Sequence, residues 1–461
     1  MQRVIPRSSV SSLWRPARSV ASCLLALTAT FSVGCGGPAP APAPGPSGPA
    51  TESSTATAMA QPDASSPAAA TDAATAKSES KPVDTKFKSE PKIWLTADEV
   101  RDGWVQLFDG QTLFGWKANN DVDWHVTEDG LIEASQGPAG LLNTTVPFQD
   151  YEFKCEYWIE KAANSGVFLR TVETPKDPAA DCYELNMWDA APEFKTASLV
   201  KRVKPTKEVT GEEVWKTLWV KVEGPRITAK FDGEEVLDYT DESPTRPKTG
   251  FIGLQKNSGK VRFKNIALKP LGAKPLFNGN DLSGWKTVDG SKSEFSVVDG
   301  AIQVKNGPGF LQSEGSWSDF VLQFEAKTNG EALNSGVFFR LIPGTKDAPS
   351  NGYEYQVQNG FKDGDRSKPA DSGSGAIFRR TQARWVVAND REWFTATLVA
   401  HGAHFASWIN GVQVTDWEDD RPADPNPRKG KKLEAGPISL QGHDPTTDLQ
   451  FRNIRVAGES K

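Results

Sequence analysis

Hydrophobic and polar positions alternate along much of this chain. Tyr151, Phe153, Cys155 and Tyr157 interleave with Glu152, Lys154 and Glu156. Leu218, Val220 and Val222 interleave with Trp219, Lys221 and Glu223. Phe320, Leu322, Phe324 and Ala326 interleave with Val321, Gln323 and Glu325. A period of two is the signature of a strand with one buried face. Asp232-Gly233 and Asn410-Gly411 fall between such runs and predict tight hairpin turns. The 15 Trp and 23 Phe, set among 40 Gly and 32 Pro, favour strands and turns over helices. Many short strands with closely spaced turns predict an all-β sandwich or jelly roll.

The pattern occurs twice. Leu107-Phe108-Asp109-Gly110 returns as Leu276-Phe277-Asn278-Gly279, and Asn164-Ser165-Gly166-Val167-Phe168-Leu169-Arg170 returns as Asn334-Ser335-Gly336-Val337-Phe338-Phe339-Arg340. Tyr183-Glu184 returns as Tyr353-Glu354, and Phe263-Lys264-Asn265-Ile266 as Phe451-Arg452-Asn453-Ile454. The displacement is 170 at Asn164 and Asn334, 178 at Asp232 and Asn410, and 186 at Leu254 and Leu440. Roughly 18 extra residues therefore lie in loops of the second copy, after Tyr355 and after Asn410. A repeat this long is a domain duplication. We place the first domain at 93–271 and the second at 273–457, joined around Leu271-Gly272-Ala273.

The chain before these domains reads differently. Residues 1–36 have a basic start (Arg3, Arg7, Arg15, Arg18) and an apolar run from Val20 to Val33, too short to span a membrane comfortably. They resemble a bacterial lipoprotein signal with Cys35 as the lipidated residue. Residues 37–92 are rich in Ala, Pro, Ser and Thr and predict a flexible tether. The expected location is thus outside the cytoplasm, on a chain anchored to a bacterial membrane. Thr96 and Glu99 then form a capping-box pattern for a short helix. Net charge is only −6, with no large basic block in the folded part, which argues against nucleic acid as a partner. Cys155 and Cys182 have no counterparts in the second copy; a disulfide and two isolated thiols are both open.

The candidate chemistry sits on the repeated strand pair. Glu354, Gln356 and Gln358 share one face of their strand, and Asn334, Phe338 and Arg340 one face of theirs. Pairing would gather an arginine, a carboxylate and amides on one surface. The plain alternative is a structural Arg340–Glu354 ion pair, repeated as Arg170–Glu184. Trp188, Trp385 and Trp393 are either sugar platforms or core.

Taken together, Leu-Phe-Asp-Gly, Gly-Trp, Asn-Ser-Gly-Val-Phe-x-Arg, Tyr-Glu, the late Asn-Gly and Leu-Gln…Phe-x-Asn-Ile resemble the 3-keto-disaccharide hydrolase family, over both copies. The resemblance implies two tandem concanavalin-like jelly-roll domains acting on an oligosaccharide or glycoside bearing a 3-keto group. Such a ketone acidifies the C2 proton, so a base can remove it, the C1 substituent leaves, and water adds back. Glu354 or His443 would be the base, with Arg340 at the C3 oxygen. Asn334, Gln356, Gln358 and Trp385, with Arg170 and Glu184 in the first copy, would bind substrate. A divalent cation held by Asp363, Asp365, Glu354 and His443 stays open, since the spacing is not diagnostic. So does a two-carboxylate glycosidase using Glu354 and Asp365. The first copy has Lys256-Asn257 where the second has Gly442-His443, so catalysis is expected in the second and substrate positioning in the first. A non-catalytic pair of lectin-like modules is the competing class.

Overall fold

The computed structural model describes residues 85–346 and 351–461. The lipidation site Cys35 and most of the tether lie outside the described residues. Each copy is a sandwich of an eight-stranded and a five-stranded antiparallel sheet, and strand order is the same in both. In the first copy the larger sheet is centred on Tyr151–Ile159 and Val261–Pro270, and in the second on Phe320–Thr328 and Asp448–Ala457. The smaller sheets run Trp116–Ala118, Gly140–Thr144, Phe251–Ser258, Asn164–Thr171, Tyr183–Met187, and Trp285–Thr287, Gly309–Ser313, Ser439–Gly442, Ser335–Phe339, Tyr353–Val357. The alternation read from sequence decides the faces: Tyr151, Phe153, Cys155, Tyr157 and Ile159 are all buried, with half-buried residues between them.

The turns follow the same logic. Asp232 and Gly233 both have positive φ (49° and 82°), as do Asn410 and Gly411 (48° and 80°), the geometry of a two-residue hairpin loop that matches strand twist. The Leu-Phe-Asp-Gly and Gly-Trp repeats work together. The Trp116 indole donates to the Leu107 carbonyl, and that of Trp285 to the Leu276 carbonyl, while Asp109 and Asn278 accept from the backbone two and three residues on. These motifs are structural.

The two copies pack into one unit. The predicted helix forms at Ala97–Asp102, with both capping-box bonds between Thr96 and Glu99. The Gly103 carbonyl that follows it accepts from Gln323 of the second copy at 3.0 Å. Trp408 donates to the Gln106 carbonyl at 2.9 Å, and Val399, Ala406 and Trp408 join the first copy's hydrophobic core. A buried ion pair, Arg384–Asp109 at 3.0 Å, closes the contact. The outer face of the second copy's larger sheet, at Gln323, Thr397, Val399 and Trp408, is thereby covered.

Two expectations change here, and one open question closes. The tether was expected to run to residue 92, yet Phe87 lies edge-on to Trp385 (centroids 6.1 Å) and under the Arg384 guanidinium at 3.9 Å. An aromatic ring at the end of a polar segment finds apolar cover rather than solvent. For the same reason Trp385 is no sugar platform: its partner is Phe87. Cys155 and Cys182 are free, buried thiols. Burial pushes the Cys182 thiol up to about 12 and the Cys155 thiol higher still, so neither is a ready nucleophile.

Candidate functional site

The strand pair singled out from sequence is adjacent in space. Phe338 lies opposite Glu354 and Gly336 opposite Gln356. Tyr353, Tyr355 and Val357 point into the core, which leaves Glu354 and Gln356 on the outer face of the five-stranded sheet. The Asn-Ser-Gly motif now has a reason at each position. The Ser335 hydroxyl donates to the Gln441 carbonyl at 2.7 Å, and Ser165 donates likewise to Gln255 at 2.6 Å. A Cβ at Gly336 would stand 2.8 Å from Glu354 Oε1, so the glycine makes room for that carboxyl. Asn334 lies just before the strand and belongs to the site.

Its amide is the hub of a polar network. Asn334 Oδ1 accepts from Gln356 at 2.8 Å, and its Nδ2 donates to Asp371 at 2.8 Å. His443 Nε2 lies 3.3 Å from Asn334 Nδ2, and His443 Nδ1 lies 2.8 Å from an Asp444 carboxylate oxygen. Hydrogen bonds from Thr446 and His443 hold that carboxyl down at about 2, so it is ionised and only accepts. The proton between them therefore sits on Nδ1, which leaves Nε2 bare in the neutral ring. Glu354 is buried, and burial raises its carboxyl, against the pull of the Arg428 guanidinium and of His443. Arg428 pairs with it at 3.0 Å and lies 5.1 Å over the Phe338 ring. Two buried acceptors on this face, Gln356 Oε1 and Gln441 Oε1, have no donor among the described residues. Buried acceptors of this kind suit hydroxyl-rich ligands.

Glu354, Gln356, Asn334 and His443 thus come together as expected. Other expectations do not hold geometrically. Arg340 is fully buried on the opposite side: the strand ends at Phe339, and a left-handed φ of 48° turns Arg340 inward. Its guanidinium donates to the carbonyls of Ser318, Gly402 and Lys432 and to Asp319. Arg170 does the same with Gln149, Gly224, Pro247 and Asp150. Both are structural anchors, and neither pairs with its glutamate. Gln358 spends its amide on the Ala332 carbonyl and the Gly360 N–H. Asp363 and Asp365 face Lys368, and among the described residues no group of three His, Cys, Asp or Glu could hold a metal. Trp393 lies under Arg452 at 4.0 Å.

Three residues of the site escaped the sequence reading: Arg428, Asp371 and Asp444. A signal for them existed. The displacement between copies is 170 at Glu184 and Glu354, 178 at Val200 and Phe378, 186 at Leu254 and Leu440, and 188 at Phe263 and Phe451. Val200 and Phe378 make the same backbone bond, to Glu184 and Glu354 respectively, which fixes the equivalence. The first step contains Asp371, the second Arg428, the third the turn from His443 to Thr447.

In the first copy Phe168 lies opposite Glu184 and Gly166 opposite Asn186. Glu184 is buried, and desolvation raises its carboxyl to about 7, opposed only by a bond from Gln255. It lines a cavity of about 190 Å³ with Asn164, Asn186, Trp188 and Glu193.

The chain belongs to the 3-keto-alpha-glucoside-1,2-lyase-like domain family, whose model matches residues 103–269 and again 272–457. It is similar to a 3-keto-disaccharide hydrolase of Bacteroides thetaiotaomicron, 28% identical over 232 residues, covering 37% of this chain and 79% of that protein. Among solved structures it is similar to a candidate glycosyl hydrolase of Parabacteroides distasonis (26% identical, 39% of this chain and 98% of that one, TM-score 0.35). It is also similar to a carbohydrate binding module, CBM66, of Bacillus subtilis (19% identical, 34% and 95% covered, TM-score 0.27).

Proposed function

We propose that this protein cleaves 3-keto-glycosides at the second copy, by removal of the C2 proton, loss of the C1 substituent and addition of water. The observation that carries this reading is the Asp444–His443 pair beside the Asn334–Gln356 network. In its neutral form His443 has a bare Nε2, 3.3 Å from Asn334 Nδ2 on the network that also holds Gln356. It takes the C2 proton, and the C–H electron pair becomes the enolate of the C3 ketone. Collapse of the enolate expels the C1 substituent, which takes the proton that His443 removed, and water then adds across the C1–C2 double bond, its hydroxyl to C1 and its proton to C2. Arg428 replaces Arg340 as the group that stabilises the enolate oxygen, with Glu354 holding it over Phe338. Gln356 Oε1 and Gln441 Oε1 accept sugar hydroxyls.

The test uses the full chain and a nitrophenyl 3-keto-glucoside, with and without deuterium at C2. Nitrophenol release with a primary isotope effect on kcat/KM is expected. Release without an isotope effect would overturn C2 abstraction. Sugar binding without release would leave the lectin-like reading. The leader supports a chain exported and lipid-anchored through Cys35. Metabolic labelling with a radioactive fatty acid, abolished by Cys35→Ser, tests that placement, and unchanged labelling would sink it.

A further inference from the structure

Glu354 and Glu184 occupy the same place on the same strand, each opposite a phenylalanine. In the second copy the guanidinium of Arg428 fills the space beside the carboxyl, 3.0 Å away. The loop that carries Arg428 runs between Glu418 and Ser439, whereas its counterpart joins Thr240 to Phe251 and has no residue at that place. Among the described residues no Lys, Arg or His forms an ion pair with Glu184. The Glu184 residue is nonetheless more than nine-tenths buried, and it lines the 190 Å³ cavity. A second carboxylate, Glu193, lines that cavity, and no basic side chain does. Gln255 Oε1 and Asn143 Oδ1, on the same sheet face but outside the cavity lining, are buried acceptors with no donor among the described residues. A buried carboxyl lining a cavity demands hydrogen-bond donors, and a positive charge most of all. Trp188 supplies an apolar wall against which a pyranose ring can lie. The volume is below that of a drug-sized pocket and suits one ring.

We propose that the first copy's cleft binds an amino sugar, with its ammonium beside Glu184 where the second copy keeps Arg428. The sugar half rests on the family, and the charge half on the cleft alone. The site is distinct from the second copy's, so failure of catalysis there leaves the proposal intact.

Calorimetric titration of the full chain with methyl glucosaminide, methyl N-acetylglucosaminide and methyl glucoside tests it. None of the three is a 3-keto-glycoside, so turnover does not enter. Methyl glucosaminide should bind at least about tenfold more tightly than the other two at pH 8. Glu184→Gln should erase that preference, and Glu354→Gln should leave it intact. Val200→Lys, which tethers an ammonium in the cleft, should block binding in a chain whose buried acid is untouched. Equal affinity for the three sugars would overturn the proposal. So would no binding at all, or a preference that survives both Glu184→Gln and Val200→Lys.

Discussion

Glu184 and Glu354 began as one residue, duplicated, and now stand in opposite electrostatic surroundings. Glu354 shares its face with Arg428, His443 and Asp371; Glu184 shares its face with amides, a tryptophan and another acid. The sheets beneath them are alike, with the same strand order and the same Ser-to-carbonyl and Arg-to-carbonyl ties. The difference teaches that this fold changes its chemistry by lengthening three loops at the rims of one sheet while leaving the strands alone. Such rims tolerate insertion because their backbone is not committed to the sheet ladder.

Removing the histidine should separate the copies most. His443→Ala is expected to lower kcat/KM for a 3-keto-glucoside by about 10²–10⁴, the usual range for a general base. Thermal stability should hardly move, because the ring is half exposed. Unchanged kinetics would transfer the base role to Glu354 or send the reaction to the first copy.

The arginines, by contrast, should behave identically in both copies. Arg340→Met and Arg170→Met each strand three backbone carbonyls and an aspartate, at a cost of roughly 3–5 kcal/mol. Denaturant titration of the two variants measures it. A mild loss for Arg340→Met accompanied by lost turnover would restore the catalytic role first expected for Arg340.

That expectation shows where sequence reasoning ran out. Strand alternation put Arg340 on the face of Glu354, and regular strand dihedrals would have kept it there. One left-handed residue reverses the side, and a non-glycine left-handed φ has no reliable sequence mark. The sandwich, the duplication, the hairpins and the capping box were all readable, because each rests on local periodicity or turn chemistry. Glu354, Gln356, Asn334 and His443 were readable because they sit in or beside repeated motifs. Arg428 belongs to no periodic strand and no repeated motif, although it makes the site's ion pair with buried Glu354. Loop residues are brought to a site by tertiary packing, and only the growing displacement between the copies hinted at them.

The pH dependence of stability offers a sharper contrast. The folded chain holds Glu184's proton up to about 7, against 4.5 when free, so the folded state binds more protons between those values. Stability contributed by this group is therefore full below 4.5 and falls as pH rises to about 7, by on the order of 3 kcal/mol. Gln255, Asn164, Asn186, Glu193 and the Cys182 thiol face it, and none is cationic. Glu184→Gln should match the parent chain at pH 4 and exceed it at pH 8 in urea midpoints. Glu354→Gln should show no such gain, since it strands Arg428. Parallel pH curves for parent and Glu184→Gln would mean that a cation or water already serves the acid.

The smallest difference concerns the glycine under each carboxyl. A Cβ at Gly336 meets Glu354 Oε1 at 2.8 Å and its Cγ at 2.9 Å, and that side chain is pinned by Arg428. At Gly166 the nearest atom is the Leu185 carbonyl oxygen at 3.1 Å, and Glu184 Cγ lies back at 3.5 Å. Gly336→Ala must therefore push Glu354 off its arginine, with strain of about 1–3 kcal/mol. Gly166→Ala needs only a shift of a few tenths of an ångström and should cost less than about 1 kcal/mol. The decisive readout is not stability alone. Displacing Glu354 also moves Arg428 from its seat over Phe338, so Gly336→Ala should lower kcat more than it raises KM. Equal stability losses at the two glycines, with kcat untouched, would mean that the Glu354–Arg428 pair adapts freely and does not position the site.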